Sequence, residues 1–192
     1  MLVARFRNLS PAMKVVASTI SFFGSLAGIV AVYFIFNPIS NFNPHIVGRW
    51  DSDYSYPITN GTLSFKGRTL LFHEGKYNVS GVISLEGKLK EQSYKFSYNV
   101  VGAGNWTADS KRMSITMQHM HSTTKSIEVA GIDFKPELIE KLSGKPSPVL
   151  SDAFPSGMSD EYTLESVSPT IIVLQAIDPF GKPFQILMHR QS

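Results

Sequence analysis

The apolar positions of this chain follow two different patterns. Residues 15–36 form a continuous apolar run that no charged residue interrupts. Beyond residue 47, apolar and aromatic side chains recur at every second position, as in residues 77–85 and 94–100. A run of about 20 apolar residues predicts a membrane-spanning helix, whereas strict alternation predicts strands that bury one face. The patterns therefore predict one transmembrane helix followed by a mainly β domain.

The apolar run is better explained by an uncleaved anchor than by a signal peptide. At about 1.5 Å per residue, a helix over residues 15–36 reaches about 30 Å, the thickness of a bilayer's hydrocarbon core. A signal peptide has an apolar core of about 7 to 15 residues that ends at small side chains, whereas this run ends at Tyr33 to Phe36. A buried helix of a soluble domain is a further alternative, but it requires packing partners on every face.

The charges around the run predict its orientation. Arg5, Arg7 and Lys14 precede it, and residues 37–48 contain no Lys or Arg. By the positive-inside rule the N-terminus is cytoplasmic, which in the inner membrane of a bacterium places the C-terminal domain in the periplasm. The predicted segments are a cytoplasmic leader (1–14), the transmembrane helix (15–36), a linker (37–46) and a periplasmic β-barrel-like domain (47–192).

Small residues on one side of the predicted helix favour a helix–helix contact. Gly24 and Gly28 form a G-x-x-x-G pair, and Ser21 and Ser25 extend the same face. Small side chains let two helices approach closely in lipid. The alternative is that these residue types are simply common in membrane helices.

The charge balance excludes some function classes. Of the 18 Lys and Arg residues, three lie in the leader, which leaves 15 against 15 Asp and Glu residues in the domain. A nucleic-acid-binding surface needs a basic excess, so we expect no nucleic acid as a partner. The chain has no cysteine, which excludes disulfides and Cys-type zinc sites.

Turn signals separate the alternating runs of the domain. They are Asn60-Gly61, Glu74-Gly75, Glu86-Gly87 and the glycines between residues 102 and 104. This spacing leaves no room for crossover helices. It predicts short strands in an antiparallel meander that curls into a lipocalin-like barrel or half-barrel.

Two Gly-x-Trp sequences refine this prediction. Gly48 precedes Trp50, and Gly104 precedes Trp106, with each pair expected to open a strand. Tryptophans at such places can fill one end of a barrel, and this short sequence is typical of lipocalin-like barrels. Two ordinary core tryptophans are the alternative.

The second half of the domain contains the predicted exceptions to the meander. Residues 134–142 have apolar side chains at helical spacing, with Pro136 in the first turn and Gly144 at the end, which predicts one short amphipathic helix. Residues 145–160 are rich in Pro and Ser and are expected to form an exposed loop or a partner-contact arm. The remaining predicted strands are residues 162–167, 171–177 and 184–189.

The order of these elements resembles that of a known family. The segments that carry the likeness are, in order, EGKYNVSGVISLEG, GNWTADSKRMSITM, DFKPELIEKL, ESVSPTIIVLQAI and ILMHR, over roughly residues 50–190. This arrangement resembles the ToxS family of bacterial inner-membrane proteins. The resemblance implies a periplasmic partner that binds a membrane-bound winged-helix transcription activator of ToxR type and shields it from proteolysis. It also implies a shared lipocalin-like barrel that receives bile salts, with no cofactor and no catalytic residue.

Residues that carry chemistry are few. His119 and His121 share a strand face, but no third ligand is evident, so we expect no metal. Asp51 and Asp53 are expected to lie on a solvated rim. No nucleophile elbow is present, and we expect no enzyme activity and no cofactor.

Aromatic residues of the predicted strands are the candidates for a lipophilic ligand site. They are Phe65, Phe72, Tyr77, Phe96 and Tyr98. A small barrel can hold one amphipathic lipid or bile-salt-like molecule among such side chains. For the chain by itself we expect a packed interior, with a ligand cavity completed only by the partner.

Two other functions fit the same pattern. One is a membrane-anchored antiviral effector whose cytoplasmic barrel binds a cyclic oligonucleotide and clusters through the helix face around Gly24. The other is a stand-alone lipid-binding or envelope-assembly protein. Exposure of the C-terminal domain to the cytoplasm or to the periplasm separates the antiviral effector from the regulatory partner.

Overall fold

The computed structural model describes residues 44–147 and 149–191, which form a mainly β domain, as the sequence predicts. The strands are β1 (Gly48–Ile58), β2 (Gly61–Leu71), β3 (Lys76–Leu89), β4 (Gln92–Ala108), β5 (Arg112–Val129), β6 (Ile132–Phe134), β7 (Ser159–Val167), β8 (Ile171–Ile177) and β9 (Pro183–Arg190). One short helix, α1 (Pro136–Ser143), follows β6, and 3₁₀ turns cover Pro44–Ile46 and Leu150–Ala153.

The strand pairings give a barrel-like antiparallel sheet. β1 to β5 pair in sequence order, β5 pairs with β7, and β7, β8 and β9 again pair in order. β9 then pairs with β1, so the pairings return to their starting strand. The short β6 pairs only with the far end of β5. The antiparallel prediction is confirmed.

The strands of this sheet differ in length, so the sheet extends further on one side than on the other. β3, β4 and β5 are 14, 17 and 18 residues long, whereas β7, β8 and β9 have 9, 7 and 8 residues. β9 pairs with β1 only along Trp50 to Ser52, and β7 pairs with β5 only along Arg112 to Thr116. One end of the sheet, called the complete end below, is therefore formed by β1 to β5 together with β7 to β9. Only β1 to β5 continue to the opposite end.

Two of the predicted turns are confirmed, and two are wrong. Asn60 and Gly75 lie in turns with positive φ angles of 62° and 77°. Gly87 instead lies inside β3 and Gly104 inside β4, which makes these strands longer than the short strands expected. The turn between β3 and β4 is at Lys90 and Glu91, which both adopt positive φ.

Close strand approach explains the two misassigned glycines. A Cβ atom at Gly87 would overlap the carbonyl oxygen of Asn60 and lie 2.8 Å from the Cα atom of Gly61. A Cβ atom at Gly104 would overlap the carbonyl oxygen of Thr116, next to a register shift between β4 and β5. Glycine in a strand allows such approach because it has no side chain.

The two tryptophans lie together at the complete end of the sheet. Gly48 and Trp50 open β1, as predicted, but Trp106 lies near the end of β4, so the prediction that Gly104-Asn105-Trp106 opens a strand is wrong. Antiparallel pairing still brings both indoles into one buried cluster. The Trp50 Nε1–H donates to the carbonyl oxygen of Ile46 at 2.8 Å. Ile46 is fully buried, although it belongs to the predicted linker.

The helix and the last strands follow the prediction closely. α1 begins at Pro136 and ends before Gly144, whose φ of 66° is typical of a glycine that terminates a helix. Phe134, which was expected in the helix, belongs to β6. β8 has the predicted bounds, while β7 begins three residues earlier than predicted.

The segment between α1 and β7 is mostly exposed, as predicted, but one turn of it is attached to the sheet. The Ser151 N–H donates to the buried Ser122 Oγ at 2.9 Å, which attaches the second 3₁₀ turn to the inner face of β5. Leu150 packs against a second buried cluster formed by Phe65, Tyr98 and Val100. The segment therefore contacts the sheet beyond the last pair of β5 with β7.

No helix among the described residues has both the length and the apolar character that a membrane crossing requires. The predicted leader (1–14), transmembrane helix (15–36) and most of the linker lie outside the described residues.

Candidate functional site

A cavity of about 450 Å³ occupies the interior of the sheet beside the tryptophan cluster. This volume is within the range of about 300 to 1,000 Å³ that small-molecule sites have. The interior is therefore not fully packed at this place, and the expectation that a partner completes the cavity stays a prediction. The aromatic lining residues are Tyr54, Tyr56, Phe65, Tyr77, Phe154, Tyr162 and Phe184, and the sulfur-containing ones are Met117, Met120, Met158 and Met188.

Three strands bring the aromatic rings together. Every second residue of β1 faces the interior, which points Tyr54 and Tyr56 at the cavity. The Tyr54 ring lies 5.4 Å from that of Phe65 on β2 and 6.1 Å from that of Phe184 on β9. The Tyr56 ring lies 5.0 Å from that of Phe184. The two contacts with Phe184 span the gap between β1 and β9, where strand pairing has ended.

The Asp160 carboxylate lies at the mouth of the cavity, near the tyrosine hydroxyls. Asp160 is two residues before Tyr162 on β7, so both side chains face the same side of the strand. Burial raises the pKa of Tyr162 and Tyr54, and the negative charge of Asp160 raises both further. The same two causes raise the pKa of Tyr77 to about 12. Partial burial also raises the pKa of Asp160 itself.

The hydroxyl of Tyr77 is buried without a hydrogen-bond partner among the described residues. Tyr77 is only 3% exposed, and its ring lines the cavity. Leaving a buried polar group unsatisfied costs about 1 to 3 kcal/mol. A hydrogen bond to this hydroxyl would remove that cost.

The charged groups of the lining are all acidic. They are Asp160, Glu161 and Asp178, and no Lys, Arg or His lines the cavity in the part of the chain that the structure describes. The Asp178 carboxylate already accepts hydrogen bonds from the backbone N–H groups of Phe180 and Lys182, at 2.9 and 2.8 Å. Asp178 therefore stabilises the turn between β8 and β9. Asp160 and Glu161 are the lining carboxylates that could bind a ligand.

The cavity includes some of the aromatic residues that the sequence indicates and leaves out others. Phe65 and Tyr77 line it. Phe72 lies beyond the end of β2, where its carbonyl oxygen accepts the Trp106 Nε1–H at 3.0 Å. Tyr98 belongs to the second buried cluster and Phe96 packs against it, and neither is among the lining residues.

Sequence reasoning missed the aromatic residues of β1 and the carboxylate of β7. The alternation of Trp50, Ser52, Tyr54 and Tyr56 was a visible signal for the inner face of a strand. Asp160 carried no such signal, because it lies at the edge of a segment rich in Pro and Ser.

The other candidate residues lie apart from the cavity. His119 and His121 are exposed on β5, and the described residues contain no group of three or more potential metal-ligating side chains. Asp51 and Asp53 form exposed ion pairs with Arg68 and Lys66. The predicted helix-contact residues Gly24, Gly28, Ser21 and Ser25 lie outside the described residues.

Comparison with known proteins gives no family for this chain. No protein-family model matches it, and no curated protein matches it. The cavity and its electrostatics are therefore the features from which a function is inferred.

Replacing Tyr77 with phenylalanine is expected to stabilise the protein by about 1 kcal/mol, because it removes an unsatisfied buried hydroxyl and keeps the ring. The measurement is the free energy of unfolding from urea titration. Tyr98→Phe is the matched control, since Tyr98 is also buried but its hydroxyl is not an unpartnered buried atom. A loss of stability in Tyr77→Phe would show that the hydroxyl is bonded in solution.

Proposed function

We propose that this chain is a membrane-anchored periplasmic partner of a ToxR-type transcription activator, with a lipocalin-like barrel that holds a lipophilic ligand. The observation that carries the proposal is the 450 Å³ cavity lined with aromatic and methionine side chains. The ToxS-like order of elements supports the choice of partner. We propose no catalytic role and no cofactor.

The unpaired ends of β1 and β5 support a role in complex formation. β1 continues six residues beyond its last pair with β9, and β5 continues well beyond its last pair with β7. A partner that lies over this opening would enclose the cavity and bury apolar side chains. Burial of this kind would stabilise both proteins and so provide the protection from proteolysis that the resemblance implies.

The charge of the lining bears on the bile-salt-like ligand that the resemblance implies. A bile salt is an anion, and the described lining offers carboxylates and no basic side chain. In a shared site the activator would have to supply the cation that pairs with such a ligand.

Pulse-chase labelling of a ToxR-type activator tests the partner role. We expect the activator's half-life to lengthen several-fold when the full chain is co-expressed with it. Ala176→Phe, which fills part of the cavity, is expected to shorten that half-life again, whereas Gln175→Phe places the same ring on the outer face of β8 and should not. An unchanged half-life with and without the chain would contradict the partner role.

The aromatic cavity also favours a second candidate, the cyclic-oligonucleotide effector with a cytoplasmic domain. Nucleobases stack on tyrosine and phenylalanine rings, which line this cavity. The carboxylates of Asp160 and Glu161 oppose it, because they repel phosphates. An alkaline phosphatase fused to the C-terminus should be active if the domain is periplasmic and inactive if it is cytoplasmic.

A further inference from the structure

We propose that the cavity selects amphiphiles with an ammonium head group, which lies between Asp160 and the surrounding tyrosines while the apolar tail fills the interior. The inference rests on the proposed ligand-binding function and narrows the chemical class of the ligand. It applies to any source of such a head group, whether a lipid or a free alkylamine.

The charge of Asp160 favours a cationic guest. Asp160 lies at the mouth of the cavity, and no ion pair joins it to a basic residue in the described part of the chain. Asp160 is an exposed residue, but its position beside the lining partly desolvates the carboxylate, which raises its pKa and disfavours the charged form. A cationic guest would supply the missing charge, whereas an anionic guest would add to the repulsion.

The aromatic rings around Asp160 also favour an ammonium group. Tyr54, Tyr56 and Tyr162 line the cavity close enough to Asp160 for its charge to act on their hydroxyls. Aromatic faces attract ammonium groups, and cages of such rings are the usual means by which proteins recognise them. A carboxylate among phenol rings therefore suits a cation better than a neutral alcohol.

The Tyr77 hydroxyl is a further, independent observation that points to a hydrogen-bonding guest. The hydroxyl is buried and has no hydrogen-bond partner among the described residues, and Tyr77 is one of the residues that line the cavity. A phenol oxygen accepts hydrogen bonds as well as donating them. An alkylammonium head has three N–H donors, enough to bond both this oxygen and the Asp160 carboxylate.

The interior beyond these groups suits an alkyl tail. Its walls include Ile83, Met117, Met120 and Met188, and flexible methionine side chains adapt to guests of different shape. The Asp160 carboxylate is thus exposed at the mouth while these apolar side chains line the interior, which is the arrangement that an amphiphile requires.

Three probes with the same alkyl chain and different head groups test the proposal: decylammonium, decanol and decanoate. The full chain in nanodiscs, with methionine methyl groups labelled for NMR, is titrated with each probe, and empty nanodiscs correct for partitioning into lipid. The methyl signals of Met117, Met120, Met158 and Met188 report on the cavity, and Met113, buried outside the lining, is the internal control.

We expect decylammonium to shift the cavity methyl signals at the lowest concentration and decanoate at the highest. Asp160→Asn should weaken decylammonium binding about fivefold, the upper end of what a partly exposed ion pair contributes. Asp53→Asn removes a carboxylate that is exposed and paired with Lys66, so it should leave binding unchanged. Asp160→Lys should reverse the order of decylammonium and decanoate.

Equal binding of the three probes, or tightest binding of decanoate to the unmodified chain, would overturn the ammonium selectivity and leave the ligand cavity standing. Cavity methyl signals that respond to none of the probes would overturn both the selectivity and the ligand-binding part of the proposed function. The activator's half-life tests the partner role separately.

Discussion

Replacing Trp50 with alanine is expected to lower the free energy of unfolding by about 3 to 5 kcal/mol, the cost typical of a buried tryptophan. Trp50 is fully buried in the cluster that fills the complete end of the sheet. Its indole N–H donates to the Ile46 carbonyl oxygen at 2.8 Å, so the substitution also leaves a buried acceptor unsatisfied. Urea titration of the full chain, followed by loss of β-sheet circular dichroism, gives the value.

Two controls separate packing from hydrogen bonding at this position. Trp50→Phe retains a large ring but loses the N–H donor, so its cost should lie well below that of Trp50→Ala. Phe180→Ala removes an aromatic ring that is 55% exposed in the turn between β8 and β9, and should change stability by less than about 0.5 kcal/mol. A loss below about 1 kcal/mol in Trp50→Ala would contradict the assignment of Trp50 to the core.

The effect is expected to be large because Trp50 also joins the two ends of the domain. Arg190 is the residue directly opposite Trp50 in the pairing of β9 with β1, and its guanidinium carbon lies 4.2 Å from the centre of the indole ring. The same guanidinium donates to the Val47 carbonyl oxygen at 3.0 Å. Loss of the indole therefore weakens the contact that closes the last strand onto the first.

Local periodicity predicted the strands well because it reports burial, which is a property of each strand by itself. The alternation at Tyr77 and Val79 lies in β3, and β8 has the predicted bounds. Glycines gave a less certain signal, because the same residue permits a turn at Gly75 and a close strand approach at Gly87. Only the register of neighbouring strands distinguishes these two roles, and register is a long-range property.

The cavity was harder to predict than the strands, since its lining comes from distant parts of the chain. Tyr54 contacts Phe184, and Asp160 acts on the hydroxyls of Tyr54 and Tyr77. The sequence correctly indicated an apolar, aromatic interior, and Phe65 and Tyr77 do line the cavity. The acidic character of the mouth follows only from the fold, which places Asp160 among those tyrosines.

Gly104→Ala is expected to lower the free energy of unfolding by about 2 to 3 kcal/mol, because the new methyl group would overpack a site with no room. Its Cβ would overlap the Thr116 carbonyl oxygen and lie 2.9 Å from the Tyr77 ring and 3.0 Å from the Gln118 backbone nitrogen. Two of these three atoms are backbone atoms of β5, so relief requires β4 and β5 to separate. Urea titration measures the loss.

Gly102→Ala is the matched control on the same strand. Its Cβ would meet the tip of the Val79 side chain at 3.0 Å and the His119 carbonyl oxygen at 3.4 Å, and a small side-chain adjustment relieves the closer contact. We expect a loss below about 1 kcal/mol for this control. Equal losses in the two variants would contradict the view that Gly104 is required for close strand approach. Because the Gly104→Ala methyl group also presses on the Tyr77 ring, which lines the cavity, that variant should alter the cavity as well.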